Sequence, residues 1–477
     1  MKMCEVVPKA GIAGVRNGVS SVIVAIFILD VLISFLISFY LIMNEFGRTM
    51  SNVVAMLSKE AEKGREKLSI TGSFLTPSGL VLDVVNDGSY DTLIKLAYVR
   101  DCATGKYLTT AVNALLHPRN STYVVISGAF RAGGRYVVAL ITSKGNVFKS
   151  EVTLSDYVTL VRVRNDVPEE LKDYQVAVRL DSTWVGWGYV DPQGRDIYFT
   201  DNSGKPLHYW IERFDPVAKE ALIWVKVPVL PPLSEVMLFL HYGGSNPYAP
   251  YYEGPYGTFY IFVNLSQFAD TNAWIMNHLD GNAAYDPTTH VLQLTNTSKS
   301  QLGYLYFTKA PSDPIGFVAN FTFKAYGGTG ADAIWLGAYD TTHEGTTEDI
   351  VKGGYHFTFD EYQDRIAFTN STVDNGDPLA YKKVKNIDNG VWHNVSIIFW
   401  YNPASRSATA VVYYDGRLKI NYTVKVAYNQ INVMLGKGEL VFGGRTGALT
   451  NYHELGGVIC VRKYVRPEPT VTLIEIP

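Results

Sequence analysis

The sequence predicts a mainly β protein carried on one long N-terminal helix, with two small β domains followed by a large β-sandwich. Three observations predict it. Residues 19–43 form an apolar run broken by a single charge, Asp30. Beyond residue 67 the chain divides into short alternating runs separated by turn-forming Gly, Asn and Asp clusters. Almost no helical periodicity returns after that point.

The apolar run comes first. As a helix rising about 1.5 Å per residue it is long enough to cross a hydrocarbon core of about 30 Å. Lys2, Lys9 and Arg16 precede it, with no acidic residue close on that side, and Glu45 and Arg48 follow. The positive-inside rule then puts the N-terminus in the cytoplasm and residues 45–477 outside. A secretory signal peptide is the rival. Its apolar core is usually about 7–15 residues with a small-residue cleavage site beyond, and Leu41-Ile42-Met43-Asn44 is no such site. Phe46, Met50, Val53, Val54 and Leu57 continue a helical period, so residues 19–67 are expected as one helix of about 70 Å. Asp30 sits mid-span, where a carboxylate is costly unless paired or protonated.

The stretch Arg16-Asn17-Gly18-Val19-Ser20-Ser21-Val22-Ile23-Val24-Ala25 resembles the leader junction of archaeal type IV pilin-like proteins. The resemblance implies a basic leader, residues 1–18, cut between Gly18 and Val19, and a retained helix. It also implies a homopolymer assembled through that helix. An uncut anchor held in the membrane by residues 19–43 stays open beside it.

Charge and cysteine content narrow the function. The net charge is −3 with no basic block, which argues against a nucleic-acid partner. Cys4, Cys102 and Cys460 form neither a disulfide framework nor a zinc-like spacing. Seven Asn-X-Ser/Thr sequons, at Asn120, Asn264, Asn296, Asn320, Asn370, Asn394 and Asn421, agree with a glycosylated exterior.

Residues 68–160 read as a first small β-sandwich, with runs such as Tyr136-Val137-Val138 between glycine turns. That segment resembles the β domain of archaeal pilin- and archaellin-like proteins. Residues 172–245 form a second unit marked by Gly194-Arg195-Asp196-Ile197-Tyr198-Phe199, Leu207-His208-Tyr209-Trp210 and Ala221-Leu222-Ile223-Trp224. It resembles an uncharacterised β domain found beside lectin-like domains in surface proteins. Arg195 and Asp196 are expected to brace a turn, and Trp210 and Trp224 to fill the core. Residues 246–256, rich in Pro, Gly and Tyr, read as a stiff linker. Residues 257–477 then form one large sandwich domain.

Five segments of that last domain, in order, are similar to the L-type (legume-like, concanavalin-like) lectin jelly roll. They are Gly330-Ala331-Asp332-Ala333-Ile334-Trp335, Gly353-Gly354-Tyr355-His356-Phe357-Thr358-Phe359-Asp360-Glu361-Tyr362-Gln363-Asp364, Gly390-Val391-Trp392-His393, Val411-Val412-Tyr413-Tyr414-Asp415-Gly416, and Val441-Phe442-Gly443-Gly444-Arg445 running to Gly457. The resemblance implies carbohydrate binding by Asp332, Ala333, Gly354, Tyr362, Asp364 and Arg445. It also implies Ca2+ held by Asp360, Tyr362, Asp364 and Asp377, since calcium takes six to eight oxygens. Thr358 stands where the family places a glutamate for a second metal. A shorter loop, with Arg365 continuing the strand, would remove Asp377 from the set. Tyr326, Tyr339, Tyr355 and Tyr452 are further candidates for stacking on sugar rings.

An enzyme is not expected. A glycoside hydrolase needs two carboxylates about 5–9.5 Å apart, and no run of acids at alternating positions occurs. Asp360 and Glu361 are adjacent, so on a strand they would face opposite ways. The leading expectation is a cell-surface adhesin, archaeal in type, that is pilin-like or membrane-anchored and displays a carbohydrate-binding domain. Its alternatives are a structural filament subunit without sugar binding and an anchored glycoside hydrolase.

Overall fold

The computed structural model describes residues 18–267, 277–308, 316–339, 343–348, 350, 354–370, 378–426 and 438–474. Residues 1–17 of the expected leader 1–18, and Asp377, lie outside them. The fold is mainly β, with one long apolar helix. It divides into two compact units, one of residues 1–72, 82–126 and 136–152 and one of residues 73–81, 127–135 and 153–477.

The first unit contains the helix Gly18–Lys63, 46 residues without a break. Within Val22–Lys63 an 18-residue stretch reaches a mean hydropathy of 2.9, enough by length and composition to cross a membrane. Phe27, Phe35 and Phe39 stand exposed along it. The same unit holds a four-stranded antiparallel sheet in which Thr92–Asp101 lies between Tyr107–Leu116 and Gly134–Thr142, with Val147–Leu154 outermost. Glu66 is buried beyond the helix and accepts hydrogen bonds from Thr142 Oγ1 (2.6 Å) and Asn146 Nδ2 (2.9 Å).

The second unit opens with a β domain whose core gathers Tyr174, Val178, Phe199, Tyr209, Ile223 and Leu240. One of its sheets places Glu220–Leu230 between Tyr209–Asp215 and Leu171–Leu180. The other builds on Tyr157–Arg164, which pairs along one edge with Glu235–Tyr242. Its other edge takes Thr470–Ile474, from Thr470 opposite Arg164 to Ile474 opposite Leu160. This corrects the expected boundaries in two places. The sandwich does not keep the whole of residues 257–477, because the segment that leaves it supplies a strand to the earlier domain. The expected linker folds into two short helical turns, Ala249–Tyr252 and Pro255–Thr258, and Tyr248 and Tyr252 pack on the neighbouring core. Apolar burial accounts for both: Val471 and Leu473 of the strand, like Tyr248 and Tyr252 of the turns, pack on the same core.

The sandwich itself has two facing sheets. Among the described residues the back sheet runs Ala284–Asp286, Val291–Thr295, Tyr452–Lys463, Gly316–Tyr326, His393–Asn402, Ser407–Tyr414 and Arg417–Lys425. Ile261–Asn264 also pairs with Tyr452–Lys463. The front sheet runs Leu279–Gly281, Leu302–Phe307, Leu440–Arg445, Ala333–Tyr339, Gly354–Asp360, Arg365–Asn370 and Ala380–Lys383. Strand alternation turns every second apolar side chain inward, and phenylalanines meet across the gap. Phe321 approaches Phe442, and Phe323 approaches Phe359, each with ring centroids 4.9 Å apart.

Candidate functional site

The site is built at one end of the front sheet. Ala333–Tyr339 lies between Leu440–Arg445 and Gly354–Asp360 in that sheet, so the residue before it is gripped from both sides. Asp332 N donates to Arg445 O at 3.0 Å, and Asp332 O accepts from Glu361 N at 3.1 Å. The Ala331–Asp332 peptide is cis. The Asp332 carboxylate lies 3.8 Å from Arg445 Nε and is 19% exposed. Arg445 Nη1 is also ion-paired with Glu348. One guanidinium thus spans two carboxylates, which holds both charges at low cost in a half-buried place. Gly447 packs so close that a Cβ there would stand 2.6 Å from Asp332 Oδ2.

The neighbouring turn, residues 361–364, joins Gly354–Asp360 directly to Arg365–Asn370. Tyr362 projects from it and is 66% exposed. Asp364 takes a left-handed conformation, φ 49°. Glu361 turns inward. Its Oε2 accepts from Asn451 Nδ2 at 2.9 Å and lies 2.8 Å from His453 Nε2, with both ion-pair side chains fully buried. His453 Nδ1 in turn meets Thr295 Oγ1 at 2.6 Å.

The described part of the expected calcium set, Asp360, Tyr362 and Asp364, does not form a cage. The loop is the short form. Asp360 Oδ2 accepts from Arg365 Nε at 2.9 Å, and its Oδ1 accepts from Gln363 N at 2.8 Å. A carboxylate already neutralised by a guanidinium has little to offer a divalent cation. Among the described residues no group of three or more acidic, His or Cys side chains is arranged to hold a metal. Asp360, Tyr362 and Asp364 therefore do not fit a calcium cage.

The structure brings Asp332, Ala333, Tyr362, Asp364 and Arg445 to this rim, Ala333 being buried and contributing backbone alone. Gly354 does not join them. It sits at the opposite end of its strand, against Tyr339, with a Cβ position only 1.9 Å from Ala338 O. Tyr339 and Tyr355 are core residues, 0% and 1% exposed, and present no ring to a ligand. Tyr326 and Tyr452 stack on each other at 5.0 Å. Trp210 and Trp224 are a further correction: they are only half-buried and stand opposite each other on neighbouring strands. Arg195 does brace its turn, at 2.8 Å from Asp191. Of the sequons, Asn120, Asn320, Asn394 and Asn421 are exposed, while Asn370 is buried and presents no open amide. Glu348 and Gly447 escaped sequence reasoning. Nothing local marks them, since both matter through long-range contacts.

A domain of unknown function, DUF2341, matches residues 193–277. No curated protein sequence matches the chain. Among solved structures, arcelin-5, a lectin-like defense protein from Phaseolus vulgaris, is similar at 15% identity, over 43% of this chain and 99% of its own, with a TM-score of 0.33. Lectin UEA-II complexed with galactose is similar at 17% identity, over 43% of this chain and 100% of its own, with a TM-score of 0.32. The exoplasmic/lumenal domain of VIP36, in a Ca2+/Man3GlcNAc-bound form, is similar at 14% identity, over 40% of this chain and 91% of its own, with a TM-score of 0.30.

Proposed function

We propose that this chain is a cell-surface adhesin, anchored or assembled through its N-terminal helix, whose sandwich binds a glycan at the Asp332 rim. The observation that carries the reading is the Asp332 carboxylate itself. It is partly open to solvent, oriented by Arg445 and Gly447, and set beside the turn that bears the exposed Tyr362. A carboxylate so held accepts hydrogen bonds from two neighbouring sugar hydroxyls. The Tyr362 ring offers an apolar face for the ring hydrogens of the same sugar. Arg445 fixes the carboxylate, a task for which no metal is needed here, so the proposed binding is independent of calcium.

The apolar helix supports anchoring through residues 19–43 with the remainder outside the cell. Polymerisation through the same helix, after cleavage between Gly18 and Val19, is the pilin-like form of the proposal. Mass measurement of the mature N-terminus separates the two: Val19 favours the pilin-like form and Met1 the uncut anchor.

Binding of the full chain, in detergent, to a broad glycan panel tests the reading, with Asp332→Ala alongside. Binding lost in the variant and unchanged by chelator supports it. Binding that ignores the substitution moves the site elsewhere, and no binding at all returns the chain to a structural role.

A further inference from the structure

A second surface of the same unit has the chemistry of a ligand site. Between the outer face of the Tyr209–Asp215 and Glu220–Leu230 pair and the outer face of the back sheet lies an open cleft of about 940 Å³. That is near the upper end of the roughly 300–1,000 Å³ of small-molecule sites, room for several linked rings.

Its wall is aromatic. Trp210 and Trp224 face each other across the strand pair, and each packs on Phe259, at 5.5 and 5.6 Å. Tyr256, 58% exposed, extends the wall from the helical turn Pro255–Thr258 and meets Phe262 edge-on at 5.3 Å. The two charges nearest the tryptophans are occupied. Arg462 lies over Trp224 at 5.1 Å and pairs with Glu468 at 2.9 Å, while Glu212 accepts from Trp224 Nε1 at 2.5 Å.

The floor is polar but uncharged. In the pairing of Gly316–Tyr326 with His393–Asn402, Asn320 stands opposite Ser396 and Thr322 opposite Asn394. Phe321 and Val395 between them are buried in the sandwich, so alternation turns these four outward together. Thr322 Oγ1 already donates to Gly456 O at 2.5 Å, but the amides of Asn320 and Asn394 and the Ser396 hydroxyl both donate and accept, and a lipid chain or an apolar peptide face would not match them. Rings on one side and neutral hydrogen-bonding groups on the other match the two faces of a pyranose.

We infer that this cleft is a second glycan site, for a neutral oligosaccharide, independent of the Asp332 rim. The glycan has two sources, a free saccharide or the chain's own N-linked glycan, because Asn264, Asn320 and Asn394 all line the cleft within sequons.

The test titrates the full chain, in detergent, with cellotetraose, mannotetraose and chitotetraose, following tryptophan fluorescence. Attached glycans are first mapped by mass spectrometry. Where Asn264, Asn320 and Asn394 are bare, at least one tetrasaccharide should bind saturably. Tyr256→Ala and Asn394→Ala, both at exposed positions, should each weaken it about tenfold or more. Asp332→Ala should leave that binding intact. Where one of the three carries a glycan, its enzymatic removal should raise acrylamide quenching of the tryptophans and admit the tetrasaccharide. The inference is overturned by no binding to the bare chain, by binding that both cleft variants leave unchanged, by binding that Asp332→Ala alone abolishes, or by deglycosylation that changes nothing. Absence of any Asp332-dependent binding, with the cleft site intact, would count against the proposed function only.

Discussion

Arg365 holds the carboxylate of Asp360 at 2.9 Å, with 11% and 7% of the two side chains exposed. The pair closes a turn so short that the strand after it begins at the arginine. A fixed cation of the chain's own therefore stands where the sequence resemblance placed a calcium ion.

Arg365→Gln should leave Asp360 buried without its counter-charge. Breaking such a pair costs about 3–5 kcal/mol, so the midpoint of urea unfolding should fall clearly. Chelator should not move the melting temperature of the unaltered chain. A chelator-induced drop would show that a metal is bound after all.

Gly447→Ala should act on binding rather than on folding. The new Cβ would first meet the side-chain end of Asp332, at 2.6 Å, and would push the carboxylate aside. Glycan affinity at the rim should fall about tenfold while the melting temperature changes little. Equal affinity in the variant would argue against Asp332 as the sugar acceptor.

Gly354→Ala should do the reverse. Here the Cβ would strike backbone, Ala338 O at 1.9 Å, where two front-sheet strands end side by side. A destabilisation of about 3 kcal/mol is expected, with the glycan preference of the surviving folded protein unaltered. Binding lost without loss of stability would restore Gly354 to the site.

His343 sets a pH dependence. Burial pulls its pKa down, but hydrogen bonds and charge from Glu439 (2.7 Å) and Asp280 (2.9 Å) outweigh that, so the folded value lies above the usual 6.5. The folded state binds this proton more tightly than the unfolded one. Its contribution is then complete below about pH 6.5 and fades as pH rises through the folded value. His343→Gln should flatten that alkaline limb and cost about 2 kcal/mol at pH 6, read from denaturant unfolding at several pH values. An unchanged slope between pH 6 and 9 would remove His343 as its source.

The helix and the strand-rich remainder were legible in the sequence because they rest on periodicity within short windows, and the order of the sandwich segments through their resemblance to lectin motifs. The helix Gly18–Lys63 falls on the expected 19–67 but stops four residues short, and the strand Ala333–Tyr339 follows the segment that the lectin resemblance picked out. Partners far apart in the chain were not legible. Glu348 reaches Arg445 across 97 positions, and Glu361 reaches His453 across 92. Gly354 was misplaced for the same reason: a glycine beside a motif and a glycine against a backbone carbonyl look alike until strands are paired. Trp210 and Trp224 read as core because most strand aromatics are, yet their alternation points away from the domain's centre.

The pairing of Thr470–Ile474 with Tyr157–Arg164 bears on the order of synthesis. The earlier strand leaves the ribosome some 300 residues before its partner, which at about 5–20 residues per second is a wait of at least 15 s. Through that interval Leu160 to Arg164 offer an unpaired backbone edge to any passing chain. Nascent copies made side by side are thus exposed to swapping this strand, and the edge is sealed only once a segment some 300 residues downstream has been made.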